Sequence, residues 1–481
     1  MARVVVVGGS VAGLGAALAL NRRGHEVTVL EADGEGAPAA GAEAWEVWRR
    51  PGVPQFRHFH NVMARGRRVL LERAPDVLRE ILAAGVEEGD AAEAIPGGVR
   101  EPGDEEMVVL RLRRPVFEAA LRRAVEREPR VRLRAGASVD GLVAVNDHPS
   151  GVPQVVGVRT RDGDVLPADH VVVAAGRRAP VGDWLREADG GAPQEEWEDS
   201  GMLYYGRCFR LRPGAAMPAG QHPPVRGDLG YMGYMLGPGD DRTFVLTWLA
   251  PTWDAELRLL REAKAFDAAA RSVPTLAAWL EPARSEPIWR VESMGNLRNT
   301  LRRFVVGGKP LMLGMHVIGD ALCHTNPMLG WGVSLALAQG FELADVVAAH
   351  EGDLYAQAVA LDARVRGDVE GCYRMSAEMD RSRGREWRGE SSGPPTEEDW
   401  PRFMRLVLGP AAARDAVVFR ALRRAMLLLD APGSLQRNEE VIARAKGIMA
   451  EAAGKGAAQP RNPTRDELLA AVRAPAELVA A

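Results

Sequence analysis

Cysteine is scarce: three residues in 481, Cys208, Cys323 and Cys372, far apart and without a C-x-x-C pair. That pattern argues against a disulfide framework or a structural zinc site, and it predicts a reducing, cytoplasmic setting. Long apolar runs are also missing. No uncharged apolar stretch reaches about 18 residues, so no membrane span is expected. The opening run Val4–Val7 is too short for a signal-peptide core. Charge of one sign is absent too. Lys and Arg total 61 against 65 Asp and Glu, giving a net charge of −4, so no nucleic-acid partner is expected. His58 and His60 stand two apart with no third ligand near them in sequence, and no metal site is expected. No internal repeat occurs, and no Ser-His-Asp or acid/base constellation stands out. Catalytic residues therefore stay unassigned, and any chemistry points to a cofactor.

What is present is an ordinary globular composition, 46% hydrophobic and 26% charged, over a length that suggests about three units. Residues 3–7 read as a buried parallel strand, 12–23 as a helix ended by Gly24, and 26–30 as a second strand. That is a βαβ unit. Residues 33–60 read as loop, 61–84 as one helix, 105–113 as a strand and 115–128 as a helix with Pro115 in its first turn. Two short strands are expected at 131–145 and 155–160, and Val171–Val173 forms another buried strand. The glycine-punctuated aromatic and methionine runs of 200–250 predict a mostly antiparallel second sheet. Helix is expected at 255–281 and 331–349, a strand at 311–318, and a mainly helical chain beyond 352. Loop is expected at 383–399, and partial disorder at the Gly/Ala/Pro-rich 453–464.

The first turn carries chemistry. Gly8, Gly9, Ser10, Val11, Ala12 and Gly13 fill a G-x-G-x-x-G frame with Ser10 at the second glycine. The turn needs a residue without Cβ at Gly8, close approach of a pyrophosphate near Ser10, and helix–strand packing at Gly13. Free N–H groups at the helix start would face the phosphates, and serine can add a hydroxyl donor. Glu31 ends the second strand, followed by Ala32, where a ribose-binding carboxylate belongs. Together these predict dinucleotide binding.

A second signature lies near residue 320. An apolar strand runs into Gly319-Asp320, and Pro327, Leu329, Gly330, Trp331 and Gly332 form a Pro-x-x-Gly-x-Gly turn before a helix. Here the chain resembles the flavoprotein monooxygenases of the para-hydroxybenzoate hydroxylase superfamily. The resemblance implies FAD, with Gly319 and Asp320 at its ribityl and pyrophosphate region and the second turn near the isoalloxazine ring. Cys323 stands where the family often has histidine, with His324 displaced by one. A small inert thiol is expected there rather than a catalytic one. Val173 replaces the aspartate of the family's Asp-x-x-Gly-Arg element in Val171–Arg177, which weakens the case for direct NADPH use.

Narrower segments are similar to actinobacterial polyene epoxidases of polyether biosynthesis: Val53-Pro54-Gln55 with Arg57, His58 and His60; Asp199-Ser200-Gly201-Met202; and Asn326-Pro327 with Gly330 and Gly332. From the wider family, Arg114, then Arg113, and also Arg57 become candidates to approach the FAD phosphates. The implied fold is α/β (α+β two-domain): a Rossmann-like FAD-binding domain (1–80, 105–185, 296–350), a mostly antiparallel substrate-binding sheet domain (81–104, 186–295) and a helical C-terminal region (351–481). The implied reaction inserts one oxygen atom from O2 into an apolar or aromatic secondary metabolite, by epoxidation or hydroxylation through a flavin C4a-hydroperoxide. NAD(P)H or a separate reductase partner would supply electrons. Tyr231, Tyr234, Met235, Trp248 and Trp331 are candidate substrate contacts, though strand alternation lets only about half of such a set face one pocket. An FAD-dependent reductase or dehydrogenase of the same fold, and a non-catalytic flavin-binding protein, stay open as alternatives.

Overall fold

The computed structural model describes residues 1–38, 41–219, 221, 224–452 and 461–474. Five parallel strands form its first sheet, in the order Met315–Val317, His170–Val173, Arg3–Val7, Glu26–Glu31, Val131–Ala135. Its inner strands are valine runs buried on both faces, as a covered parallel sheet requires. Val4, Val6 and Val172 pack on helices Val11–Arg22 and Gly332–Ala349. Val5, Val7, Val171 and Val173 pack on the antiparallel strands Val139–Val145 and Gln154–Thr160.

Helices Val11–Arg22 and Gly332–Ala349 lie backbone against backbone. A Cβ on Gly340 would fall 2.6 Å from the Ala16 nitrogen. Gly332–Ala349 is the one helix among the described residues long and apolar enough to cross a membrane. Its burial between neighbouring helices makes it a core element here.

The second sheet is antiparallel, in the order Val225–Asp228, Gly233–Pro238, Thr243–Pro251, Met202–Leu211, Ser285–Pro287. Its two faces are sorted by alternation. Tyr205, Tyr234, Leu236, Leu246 and Trp248 pack on Phe266, Leu468 and Leu469 of covering helices. Met202, Tyr204, Met235 and Leu249 face the other way, toward Met328 and Trp387. The long helix Leu354–Trp387 and the helices of 400–452 complete the C-terminal region.

Several boundaries differ from expectation. The loop of 33–60 contains a helix, Gly41–Val47, anchored by buried Ala44 and Trp45. The single helix of 61–84 is a strand, His60–Val62, and two helices, Ala64–Arg73 and Pro75–Ala83. Pro75 has no N–H to continue the first helix and starts the second. Pro274 breaks 255–281 in the same way. The 131–145 stretch splits: Val131–Ala135 joins the parallel sheet and Val139–Val145 the antiparallel one. Helix persists to Trp387 where loop was expected from 383, because Trp387 is buried beneath the second sheet. Residues 453–460 of the segment expected to lack order lie outside the described residues.

Candidate functional site: a cleft between the two sheets

A cleft of ≈ 1560 Å³ runs from the first glycine turn to the second sheet. At one end it is lined by Gly8, Gly9, Ser10, Val11, Ala12, Glu31 and Ala32. Gly8 sits at φ 108°, and a Cβ there would fall 2.5 Å from the Ala174 carbonyl oxygen. A Cβ on Gly13 would fall 1.9 Å from the Gly8 oxygen. Gly13 thus shapes the turn from behind and does not itself line the cleft. No side chain caps the start of helix Val11–Arg22, so its first N–H groups remain available to an anion in the cleft. Glu31 is held at the strand end, one oxygen accepting from Gly9 N (2.8 Å) and the other from Asp33 N (2.9 Å). These features fit a dinucleotide pyrophosphate and its ribose.

Behind Glu31 lies a buried ionic network that sequence reasoning missed. Arg50 donates to Glu31 (2.6 Å), Asp33 (2.9 Å) and Glu118 (2.5 Å), and its side chain is 1% exposed. Burial alone would lower the guanidinium pKa, but Glu118, Glu31 and Asp33 more than reverse this and raise it. Arg114 lines the cleft. It donates to Glu118 (3.1 Å), to the Ser10 hydroxyl oxygen (3.0 Å) and to His60 Nε2 (3.3 Å). Ser10 in turn donates to Glu118 (2.9 Å). The expected hydroxyl donor to phosphate is therefore committed elsewhere. The Arg114–Glu118 spacing of one helical turn was a readable sign of this pair; Arg50, in an irregular segment, gave none.

Arg57 is not brought to the cleft. Its guanidinium donates to the Trp45 and Trp48 carbonyls and stacks 4.4 Å over Trp289. Arg113 pairs with Asp240 (2.5 Å) instead. His58 and His60 do line the cleft. Burial pushes His58 down to about 4 and His60, which also faces Arg114, to about 3, so both rings are neutral. Both His58 nitrogens lack a hydrogen-bond partner.

The second signature meets the first directly: a Cβ on Gly319 would come 2.8 Å from the Ala12 Cβ. Asp320, Pro327, Leu329, Gly330 and Gly332 line the same cleft. Gly330 ends the short turn at φ 69°, a left-handed conformation that suits glycine. Trp331 turns away; its indole donates to the Met426 carbonyl (2.8 Å) among the C-terminal helices.

Asn326 ties this turn to the long helix. Its amide donates to Asp380 (2.6 Å), its backbone N–H to Asn299 Oδ1 (2.7 Å), and its own Oδ1 accepts from the Tyr204 hydroxyl and Met328 N. Asn299 donates to the other Asp380 oxygen (2.7 Å). Burial raises Asp380 to about 7, an effect the two amide donors only partly offset. Its folded-state pKa lies above the unfolded 3.8, so the native state retains a proton that the unfolded chain releases. Stability should therefore fall as pH rises from about 4 to 7, by a few kcal/mol. Thermal melts of the wild type and Asp380→Asn across this window should show the slope in the first and its flattening in the second.

Cys323 does not line the cleft. Burial, and then Cys372 and Asp320, hold its thiol well above the usual range, so it is not a thiolate nucleophile at neutral pH. The degenerate middle element is nearby: Ala174, Ala175, Gly176 and Arg177 form one rim, with Arg177 donating to the Asn296 carbonyl (2.8 Å). Toward the second sheet the wall is Tyr204, Met235, Leu249, Met294, Leu297 and Met328. Of the proposed contacts, Met235 faces the cleft and Tyr234 reaches its edge. Trp248 is core on the opposite face, and Tyr231 donates to the Pro463 carbonyl (3.2 Å) outside the cleft.

Residues 3–184 match the family described as Glucose inhibited division protein A. Protein Rv3254 of Mycobacterium tuberculosis is 29% identical over 392 residues, 73% of this chain and 75% of that protein. Among solved structures, pqsL of Pseudomonas aeruginosa, titled a probable FAD-dependent monooxygenase, superposes with TM-score 0.58 at 19% identity, covering 81% of this chain and 99% of that one. The chain has the fold of the FAD-dependent oxygenases. The flavin-dependent brominase Bmp2 (TM-score 0.55, 16% identity, 94% and 99% covered) shares it. So does 2-methyl-3-hydroxypyridine-5-carboxylic acid oxygenase (TM-score 0.52, 18% identity, 86% and 97% covered).

Proposed function

We propose that this protein is an FAD-dependent monooxygenase that adds one oxygen atom from O2 to a small secondary metabolite, by epoxidation or hydroxylation. One observation carries the reading. The two glycine turns, about 300 residues apart in sequence, meet at Gly319 and Ala12 and open into one cleft with an apolar far wall. Its volume of ≈ 1560 Å³ exceeds the 300–1,000 Å³ common for single small ligands, as a dinucleotide with a substrate beside it requires.

FAD bound there would supply the redox and oxygen chemistry. In this reading Val11 and Ala12 at the uncapped helix start offer backbone N–H groups to its pyrophosphate, Gly8 and Gly9 leave room for its approach, Glu31 offers its carboxylate to the ribose, and Asp320 its carboxylate to the ribityl chain. The Asn326–Asp380 pair fixes the second turn, and Tyr204, Met235, Leu249 and Met328 exclude water around the substrate. Residues 1–80, 105–185 and 296–350 form the FAD-binding part, and 81–104 with 186–295 the substrate part. The oxygenase fold and the family match over residues 3–184 support the reading. NAD(P)H or a reductase partner supplies electrons, and the setting is cytoplasmic.

Incubation with FAD, NADPH and a panel of polyenes and aromatics, followed by mass spectrometry, tests it. A product heavier by one oxygen atom is expected. A product changed only in hydrogen count would assign a reductase or dehydrogenase, and protein that stays colourless with FAD would overturn the flavin reading.

A further inference from the structure

The apolar wall is interrupted by arginine. Arg226 projects from strand Val225–Asp228, Arg383 from the long helix and Arg423 from helix Ala416–Met426, and all three line the cleft. Arg226 lies deep in the protein and yet keeps open surface, because it stands in the cleft itself. Its pKa is lowered to about 10, by burial and then by the charges of Arg423 and Arg383, and no carboxylate offsets them. Arg423 is lowered by burial with no compensating acid.

Among the described residues the ion-pair partner of Arg383 is a distant one, Asp228 at 3.9 Å, and its charge also reaches Asp380. Asp228 Oδ1 accepts from Trp387 Nε1 (3.0 Å) and Gly230 N (2.9 Å), and Oδ2, the oxygen toward Arg383, has no hydrogen-bond partner among the described residues. The Arg383 Nε finds no hydrogen-bond partner. The next acid along, Glu386, is held by Arg402 and Arg405. Three guanidinium groups thus line the end of a cleft floored by Met235, Leu249 and Met328, and among the described residues their one ion-pair contact is the long Arg383–Asp228 approach. Unpaired charge in such surroundings is costly. Converging guanidinium groups match the oxygens of carboxylate and phosphate.

We infer that this end of the cleft is an anion-binding subsite, in which Arg226, Arg383 and Arg423 hold a carboxylate or phosphate of the small molecule that enters it. The ligand then has an apolar body with an anionic end, which revises the expectation of a wholly apolar substrate. The inference rests on the reading that this cleft receives the substrate. The anion has two possible sources, the substrate itself or the phosphates of a nicotinamide dinucleotide.

Isothermal calorimetry with 2-naphthoate, its neutral analogue 2-naphthamide, and NADP+ tests this on the wild type, Arg226→Met, Arg423→Met and Arg226→Lys. 2-Naphthoate should bind the wild type at least 10-fold more tightly than 2-naphthamide. Each methionine variant should weaken naphthoate by about 10- to 100-fold, with the lysine variant losing less and naphthamide unchanged. NADP+ binding that falls in the same variants and is displaced by naphthoate assigns the anion to the dinucleotide. NADP+ binding untouched by the variants assigns it to the substrate. Equal binding of acid and amide, or naphthoate affinity unmoved by both methionine variants, overturns the inference. Calorimetry does not depend on the flavin, so a protein that takes up no FAD but still selects naphthoate would sink the FAD reading and leave the subsite standing.

Discussion

A Gly13→Ala variant is expected to purify without FAD and to melt well below the wild type. The added Cβ would stand 1.9 Å from the Gly8 carbonyl oxygen and 3.1 Å from the Val6 side chain. The first obstacle is backbone and cannot swing aside. Either the turn or the helix start must move, and both carry N–H groups aimed at the proposed pyrophosphate. Overpacking of this kind typically costs about 1–3 kcal/mol in stability. The loss of binding should be larger, since several N–H groups lose their aim together. Gly34→Ala is the control, for nothing lies within 4 Å of a Cβ at that position. FAD content by absorbance after reconstitution, with the melting temperature, reads both effects. A Gly13→Ala protein that stays yellow with wild-type stability would remove this turn from the cofactor site.

Arg50→Met should destabilise the protein by about 3–5 kcal/mol, the range seen when one partner of a buried ion pair is removed. Methionine fills most of the space, so the loss is electrostatic. Glu118 is fully buried and Glu31 nearly so, and Asp33 is only slightly more open. Arg114 still serves Glu118, but Glu31 and Asp33 lose the one cation that pairs with them among the described residues. Adding Asp33→Asn should recover part of the loss, because one stranded charge is neutralised. Denaturant unfolding of the two single variants and the double variant measures this coupling. Purely additive effects would show that the three carboxylates do not depend on Arg50 as a unit.

Much of the cofactor end was legible because its constraints are local. Gly8 to Gly13 and Glu31 are set by backbone shape within a few residues and show in their spacing, and the Gly319 to Gly332 stretch is an equally local pattern whose meaning came from the family resemblance. Arg114 came instead through the family resemblance, as the arginine that opens the helix beginning Arg114-Pro115-Val116-Phe117. Arg50, Asn326 and Asp380 act across the fold. Their long-range partners lie 17 to 122 residues away in sequence, and no periodicity reports such pairings. Trp331 and Trp248 misled because an aromatic suits a core as well as a pocket, and only the facing of each strand and turn separates the two. The arginines of the substrate end were hidden for the opposite reason. In a chain rich in surface arginine, nothing local marks the few that turn inward.

The abutment of Gly319 on Ala12 sets a timetable for biogenesis. The amino-terminal βαβ unit leaves the ribosome long before residue 320 exists, so its half-groove cannot grip the coenzyme lastingly while synthesis continues. Loading must await a nearly finished polypeptide. A ligand gripped by both turns would then act as a late fastener between segments about 300 residues apart, adding stability only to the finished fold.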